Sequence, residues 1–298
     1  MLFYSGSNPL CDRARTNRAR ERSDKVKLVV FSKMLKEKSV PELVELAHNF
    51  GMEGYDLAVR PGYAVNPDNA GTALPEAVRT FRENGLDIPM VTANTDLLRP
   101  DQPGVEELLG AMDAADVRRI KLGYFKCDPQ ADYWQEVDRI RRVLEEWARM
   151  GEKHGVRICY HTHSNRCMGL NAGMLMHLLR GFDPQYIGAY IDTGHLRVEG
   201  EEFAVAAAMV KEYLSMVAVK DMLMERVEKE GHGAVKRSVV EAGQGMVDWT
   251  AVFEDLGRIG FDGPVSVHCE FHAEEEDLLP AIKREVAFFR SVRERVGI

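Results

Sequence analysis

The chain has 298 residues, of which 45% are hydrophobic and 29% are charged, and its formal net charge at pH 7 is −8. This composition is that of a globular protein, and the length suits one large α/β barrel or two smaller domains. An acidic chain without a stripe rich in lysine and arginine argues against nucleic acid and against an anionic membrane surface as partners.

The first 25 residues differ from the rest because they carry five arginines: Arg13, Arg15, Arg18, Arg20 and Arg22. They lack the apolar core of a secretory signal peptide. We therefore expect residues 1–25 to form a disordered or loosely docked N-terminal arm, with an arm that contacts another subunit as the alternative. The five cysteines are scattered and include no CxxC pair, which favours a reducing compartment and predicts a cytoplasmic protein.

From residue 27 onward, strand-like runs alternate with segments of helical periodicity. The first unit pairs an apolar run at 27–32 with a helix at 39–51, in which Val40, Leu43 and Val44 recur at helical spacing. Ser39 is suited to cap that helix, and Gly51 is suited to end it. Seven further units follow, with strands predicted at 55–60, 87–94, 118–125, 157–163, 186–194, 215–221 and 264–271, and helices at 73–85, 105–116, 133–155, 172–181, 202–214, 247–260 and 274–296.

Eight strand–helix units predict a (β/α)8 TIM barrel, an α/β fold that forms a single domain over residues 26–298. Alternating strands and helices build parallel strands joined by right-handed crossovers, and eight such units suffice to close a barrel. A doubly wound sheet is the runner-up, but no strand is followed by a GxGxxG motif. The longest irregular stretch is predicted at 223–245, and a loop of that length is usually functional or mobile.

Polar residues occupy inward-facing positions of the predicted strands. In the eighth strand Val265 and Val267 face the helices, so Ser266, His268 and Glu270 point inward. The same alternation places nine polar side chains near the carboxyl ends of the strands: Arg60, Asn94, Lys121, His161, His163, Asp192, Lys220, His268 and Glu270. Because a barrel interior is normally packed with branched aliphatic residues and barrel enzymes work at this end, the pattern predicts an active site there.

Some of these residues have the donor atoms of a metal site. Imidazole and carboxylate groups suit manganese, iron, cobalt or zinc, and we expect His161 and Asp192 to bind such an ion together with His268 or Glu270. Each residue taken alone is equally compatible with a hydrogen-bonded structural role, so that alternative stays open.

The other polar residues suit acid–base chemistry or substrate binding. His163 and His195 fit the role of proton carriers or of groups that orient a metal ligand. Lys220 is either a functional lysine or half of an internal ion pair. Arg60 is suited to clamp a carboxylate or phosphate by bidentate contact, or else is tied to an acid of the protein itself.

The segments ICYHTHSN, AYIDTGH, MVAVKD, EAGQGMVDW and FDGPVSVHCEF, in this order, resemble the xylose isomerase-like barrel superfamily over residues 27–296. This superfamily includes sugar isomerases and epimerases, inosose dehydratase and endonuclease IV-type enzymes. The combination of DTGH with GxGxVDW is fairly specific for the superfamily but does not identify a substrate. The opening segment KLVVFSKML looks like that of a subgroup known only as sugar phosphate isomerases or epimerases.

The resemblance implies a divalent metal, Mn, Mg, Co or Zn, held by four ligands. The family places a glutamate in the fifth strand, an aspartate in DTGH, a histidine in HxKD and a glutamate in the eighth strand. These positions hold, in order, His161, Asp192, Ala218 and His268, with Glu270 two residues further on. Only the aspartate matches by type.

The site that we expect from these arguments has three groups of residues. The metal ligands are His161, Asp192 and His268. The proton-transferring residues are His163, His195, Lys220 and Glu270. The substrate-binding residues are Arg60, Asn94 and Lys121.

The leading hypothesis for function is an isomerase or epimerase of a sugar, sugar phosphate or polyol derivative. A divalent metal would polarise a carbonyl group and stabilise an enediolate. One alternative is a keto-sugar or inosose dehydratase or lyase, which shares the proton-abstraction step. Another is a non-catalytic sugar-binding barrel, because the usual ligands are replaced. The partner expected is a small carbohydrate, and the resemblance implies a homodimer or homotetramer.

Overall fold

The structure is a computed structural model that describes residues 26–298. Eight parallel strands close into one barrel, as the alternating pattern predicts. In chain order the barrel strands are β1 Lys27–Phe31, β2 Gly54–Ala58, β3 Asp87–Thr92, β4 Arg119–Lys121, β5 Arg157–His161, β6 Ile187–Asp192, β7 Leu214–Val219 and β10 Pro264–Val267. Each strand pairs with the next, and β10 closes the barrel onto β1.

Nine helices of the described part of the chain surround the barrel. They are α1 Val40–Phe50, α2 Ala70–Glu83, α3 Val105–Ala114, α4 Tyr133–His154, α5 Ala172–Leu179, α6 Thr193–Val198, α7 Phe203–Val210, α8 Trp249–Ile259 and α9 Glu275–Val296. Helix α1 begins as the sequence predicts, because Ser39 and Glu42 form a reciprocal capping box. It ends at Gly51, whose φ of 68° is the left-handed conformation that glycine adopts without strain.

The inside of the barrel has an apolar lower layer and a polar upper layer. Five buried residues from inward-facing strand positions form their own cluster, separate from the core between strands and helices: Met90, Cys159, Tyr190, Met216 and Ala218. The Tyr190 hydroxyl contacts Nε2 of His268 at 2.9 Å, so the polar side chains lie directly above this layer. This apolar layer, which we call the apolar floor, therefore lies directly beneath the polar groups at the strand ends.

The segment 223–245 is not the irregular loop that the sequence predicts. Strands β8 (Asp221–Lys229) and β9 (His232–Val240) form an antiparallel hairpin, closed by a turn at Glu230 and Gly231. Both strands are largely exposed on their two sides. They therefore lack the apolar alternation by which a half-buried strand is predicted.

Two further boundaries differ from the predictions. The DTGH segment starts the short helix α6, because the Asp192 side chain accepts a hydrogen bond from the His195 backbone N–H at 3.0 Å. Strand β10 ends at Val267, so His268 and Glu270 follow the strand instead of belonging to it.

The expected N-terminal arm, residues 1–25, lies outside the described residues. Within residues 26–298, no helix combines the length and the apolar character needed to cross a membrane.

Candidate active site

A small cavity opens at the carboxyl ends of the barrel strands. It measures about 80 Å³, whereas pockets for small molecules usually enclose about 300–1,000 Å³. Its lining is Phe31, Lys33, Arg60, Thr92, Thr95, Lys121, Tyr124, His161, His163, His195, Lys220, His268 and Glu270. The enclosed part therefore has room for the reacting group of a substrate, not for a whole sugar.

Most of the predicted site residues meet at this cavity. Eight of the ten line it: Arg60, Lys121, His161, His163, His195, Lys220, His268 and Glu270. The ninth, Asp192, is fully buried beside it, with Oδ2 3.1 Å from Lys220 Nζ. The tenth, Asn94, lies outside the lining, and its amide donates to Asp96 at 2.7 Å. Because β3 ends at Thr92, strand alternation no longer decides where position 94 points.

Lys220 is the centre of a group that we call the acid–base cluster: His163, Asp192, His195, Lys220 and Glu270. The Lys220 ammonium lies 3.1 Å from Asp192 Oδ2 and 3.0 Å from Glu270 Oε2. Burial alone would lower the pKa of Lys220, but the two carboxylates raise it above its ordinary value. Burial likewise opposes ionisation of Glu270, yet Lys220 holds the pKa of this carboxyl well below its usual range. Lys220 is therefore a fixed cation.

Hydrogen bonds define the tautomers of the two histidines in this cluster. An ammonium only donates, so Lys220 Nζ, 3.0 Å from His195 Nε2, makes that nitrogen an acceptor and leaves the proton on Nδ1, toward Ser164 Oγ. His163 Nδ1 lies 2.7 Å from the Ser164 carbonyl oxygen, which only accepts, so His163 carries its proton on Nδ1. Its Nε2 therefore carries a lone pair, which accepts no hydrogen bond within residues 26–298.

Electrostatics keep both of these imidazoles neutral. Burial lowers the pKa of His163 to about 4. Burial, followed by the charge of Lys220, lowers the pKa of His195 well below its ordinary value. The two rings lie side by side, with their centroids 4.0 Å apart.

His161 and His268 lie in the middle of the cavity. Burial and the charge of Lys121 lower the pKa of His161 well below its ordinary value. Burial also opposes the charged form of His268, but the nearby carboxylates raise its pKa: Asp56 lies 3.8 Å from Nε2 and Glu270 lies 3.6 Å from Nδ1. His268 is thus the imidazole of this site that is held most strongly in its protonated form.

On the side of the cavity formed by β2 and β4 lie two cations, Arg60 and Lys121, which we call the cationic pair. Arg60 Nε donates to the Ala93 carbonyl oxygen at 3.1 Å, and its guanidinium carbon lies 5.2 Å from the centre of the Phe31 ring. Lys121 Nζ lies 3.9 Å from the centre of the Tyr124 ring. Burial and then repulsion by Arg60 lower the pKa of Lys121 to about 7.

The predicted metal ligands present three buried atoms that lack a hydrogen bond: His161 Nε2, Asp192 Oδ2 and His268 Nδ1. The Asp192 oxygen lies 3.7 Å from the His161 atom and 3.9 Å from the His268 atom. Both separations are below ~4.2 Å, twice a typical zinc–ligand distance of about 2.1 Å, so one ion can reach each pair. The donor set therefore fits a divalent cation.

The fit requires some rearrangement. Across residues 26–298, no group of three His, Cys, Asp or Glu side chains is already arranged as a metal site. The ammonium of Lys220 occupies one side of Asp192, in an ion pair without the alignment of a hydrogen bond. The family's fourth ligand has no counterpart, because Ala218 lies in the apolar floor.

Four residues at or below the cavity were missed by the sequence analysis: Lys33, Asp56, Tyr124 and Tyr190. Lys33 follows β1 and pairs with Glu270, and Tyr124 follows β4 and contacts His161 Nδ1 at 3.2 Å. Lys33 lies in a short 3-10 helix (Ser32–Leu35) and Tyr124 in a loop, so strand alternation does not decide where either side chain points. Asp56 and Tyr190 do lie on predicted inward positions, and a search for buried polar partners of His268 would have found them.

A larger cavity of about 590 Å³ lies at the opposite, amino-terminal end of the strands. Its main charged groups neutralise one another: Lys27 pairs with Asp87 at 2.5 Å, and Arg293 pairs with Glu53 at 2.6 Å. It is therefore a weaker candidate for chemistry than the smaller cavity, where charged and neutral titratable groups meet.

Comparison with known families agrees with this architecture. The family described as the xylose isomerase-like TIM barrel matches residues 44–292. The chain belongs to this family. Among curated proteins, inosose dehydratase of Lacticaseibacillus casei is 25% identical over 142 residues, which cover 45% of this chain and 47% of the relative. Inosose dehydratase of Bacillus velezensis is 22% identical over 175 residues, 56% of this chain and 58% of the relative. The chain thus spans about half the length of the curated relatives it matches.

Solved structures extend the likeness over nearly the whole chain. The 3-keto-D-glucoside 4-epimerase of E. coli has a TM-score of 0.68 and 15% identity, covering 90% of this chain and 100% of the epimerase. The IOLI protein with a bound zinc atom also has a TM-score of 0.68, with 16% identity, covering 91% of this chain and 98% of IOLI. At these identities the likeness shows the fold alone.

Proposed function

We propose that this protein is an enzyme that moves a proton at the carbon beside a carbonyl group of a small polyhydroxylated compound, a sugar or polyol derivative. One observation carries the proposal. A neutral imidazole with a free lone pair, His163 Nε2, shares the cavity with an ammonium, Lys220, that two carboxylates hold in its charged form. A base and an acid at one small site are what abstraction of such a proton requires.

The residues of the acid–base cluster divide the work. His163 Nε2 accepts the proton from carbon. Lys220 donates a hydrogen bond to the substrate oxygen on which negative charge develops, and such contacts from pre-oriented donors lower the barrier most. His195 lies between them, 3.0 Å from Lys220 Nζ, and orients the ammonium. Glu270 and Asp192 keep Lys220 charged and in place.

The fate of the abstracted proton decides the reaction type. Loss of a hydroxyl group from the next carbon gives a dehydratase, the activity that the names of the curated relatives carry. Return of the proton gives an isomerase or epimerase, the second candidate. The Nε2 lone pair of His163 supports the second, since a single base can take a proton from one carbon and return it to the same or to the next carbon.

We further propose that His161, Asp192 and His268 hold a divalent metal. When bound, such an ion would supply a Lewis acid for the carbonyl oxygen. Metal analysis of untagged protein, compared with the His268→Ala variant, tests this assignment. A stoichiometric metal that the variant loses supports it, and an equal metal content in both proteins rejects it. Light scattering on the same samples tests the expected homodimer or homotetramer.

Proton exchange in heavy water tests the proposed reaction directly. Candidate keto-sugars and inososes are incubated with the enzyme in D2O and followed by NMR and mass spectrometry. Deuterium incorporation without a change of formula supports isomerisation or epimerisation, and loss of water supports dehydration. Tight binding of a sugar without any exchange would reject both and leave a non-catalytic sugar-binding barrel.

A further inference from the structure

Within the described residues 26–298, the cationic pair has no counter-charge. Lys121 Nζ makes no hydrogen bond and no ion pair there, although the residue is only 3% exposed. Arg60 is partly buried and uses Nε alone, toward the Ala93 carbonyl oxygen, and its two terminal nitrogens make no hydrogen bond within the same residues. Both side chains line the cavity. Buried charges are normally paired, so the buried Lys121 with a second cation beside it and no anion among these residues calls for an explanation.

The nearby carboxylates of the protein are already engaged. Asp56 accepts hydrogen bonds from the hydroxyls of Thr92 at 2.6 Å and Ser266 at 2.9 Å. Glu270 accepts from Lys33 and, at 3.0 Å, from Lys220. Neither carboxylate is available to Lys121 unless it gives up these partners.

The charges facing Lys121 explain its unusual ionisation. Burial and Arg60 lower its pKa to about 7, and Lys220 acts in the same direction. Asp56 and Glu270 act in the opposite direction but do not compensate. The remaining groups beside it are the neutral His161 and the face of the Tyr124 ring. A lysine in these surroundings gains its charge most readily when an anion enters the cavity.

We propose that Arg60 and Lys121 form a binding site for an anionic substituent, a carboxylate or phosphate, of the substrate on which the acid–base cluster acts. A guanidinium matches either group by bidentate contact, and the ammonium adds a second charge-assisted hydrogen bond. This inference rests on the proposed function for its choice of substrate. It narrows that substrate to a sugar acid or a sugar phosphate, as opposed to a neutral sugar.

Isothermal titration calorimetry with sulfate and with acetate tests the site without any need for turnover. We expect each probe to bind to the parent protein. Stronger binding of sulfate would indicate a phosphate-like ligand, and stronger binding of acetate would indicate a carboxylate ligand.

Matched variants locate the effect. Lys121→Met should bind the anions at least about tenfold more weakly, since a charge-assisted hydrogen bond is lost. Lys121→Arg should still bind them, because it keeps a positive charge at this position. Lys283→Met, the same change at an exposed position of α9, should behave like the parent protein.

Two results would overturn the inference: no anion binding to the parent protein, or equal affinity in Lys121→Met and the parent. Different results would reject the proposed reaction. Normal anion binding without proton exchange from any substrate in D2O would reject the reaction and leave the anion site. Exchange with a neutral keto-sugar and no anion binding would reject the anion site alone.

Discussion

The acid–base cluster and the cationic pair each contribute one lysine to the same cavity, and the pKa values of these two lysines shift in opposite directions. Lys121 and Lys220 are both 3% exposed, and each lies at the carboxyl end of a barrel strand. Two carboxylates contact Lys220 and raise its pKa. In the part of the chain that the structure describes, no carboxylate forms an ion pair with Lys121, and its pKa falls to about 7. The comparison teaches that burial alone does not set the charge of a lysine. The partners within reach of its nitrogen do.

Removing Lys220 should have the largest effect, because it breaks the paired side of this comparison. In Lys220→Met two buried carboxylates lose their cation, which typically costs about 3–5 kcal/mol. We expect a loss of that order in the free energy of unfolding, measured in urea, together with loss of substrate proton exchange. Lys121→Met is the matched control, since it removes an unpaired charge. A stability loss as large in the control would show that the two lysines do not differ as described.

Replacing His163 should lower the rate of proton exchange without an equal loss in the free energy of unfolding. Its side chain is partly exposed, and its polar contacts are with Ser164 and Cys167, which lie close to it in the chain, so His163→Asn should change the free energy of unfolding little. The rate of proton exchange should fall by about 10²–10⁴-fold, the usual contribution of a general base. His177→Asn, at a helix site away from the cavity, serves as the control. Wild-type exchange in His163→Asn would assign the base to another residue.

The lowered pKa of Lys121 should make the free energy of unfolding depend on pH. The folded pKa of Lys121, about 7, is below its ordinary value of 10.5. Between these values the unfolded chain binds more protons, so the parent protein gains stability relative to Lys121→Met as the pH rises from 7 to 10. The gain should be on the order of 3 kcal/mol, since one pKa unit corresponds to about 1.4 kcal/mol and solvent relaxation reduces the total. A flat difference between pH 7 and 10 would mean that Lys121 is charged or exposed in the folded protein.

A buried acid outside the cavity should show the opposite slope with a similar amplitude. Glu285 is 1% exposed, and burial raises its pKa from 4.5 to about 8, with repulsion by Glu241 and Asp221 adding to the effect. Here the folded state binds more protons, so stability should fall between pH 5 and 8 relative to Glu285→Gln. We expect about 3 kcal/mol, measured by urea unfolding at both pH values. Gln keeps the acceptor for the Ala242 backbone N–H. A parent-to-variant difference that does not change with pH would show that Glu285 ionises normally.

The sequence predicted the positions of these two lysines but not the charged groups that surround each of them. Alternation along the strands placed both Lys121 and Lys220 inward, and it assigned His161, Asp192 and His268 to the same end of the barrel. It left Lys220 open between a functional lysine and an ion pair, and the structure makes it an ion pair with Asp192 and Glu270. It did not find Lys33 or Tyr124, because Lys33 lies in a short 3-10 helix and Tyr124 in a loop, where the alternation of a strand does not apply.

The sequence by itself determined the fold of this protein. Eight apolar runs alternating with amphipathic helices allow few architectures, because each must bury its apolar face and parallel strands need crossovers. The tertiary structure alone decided the charges and tautomers at the site. They depend on distances between atoms far apart in the chain, such as Lys220 Nζ and Glu270 Oε2, and electrostatic energies in a buried cavity change steeply with those distances.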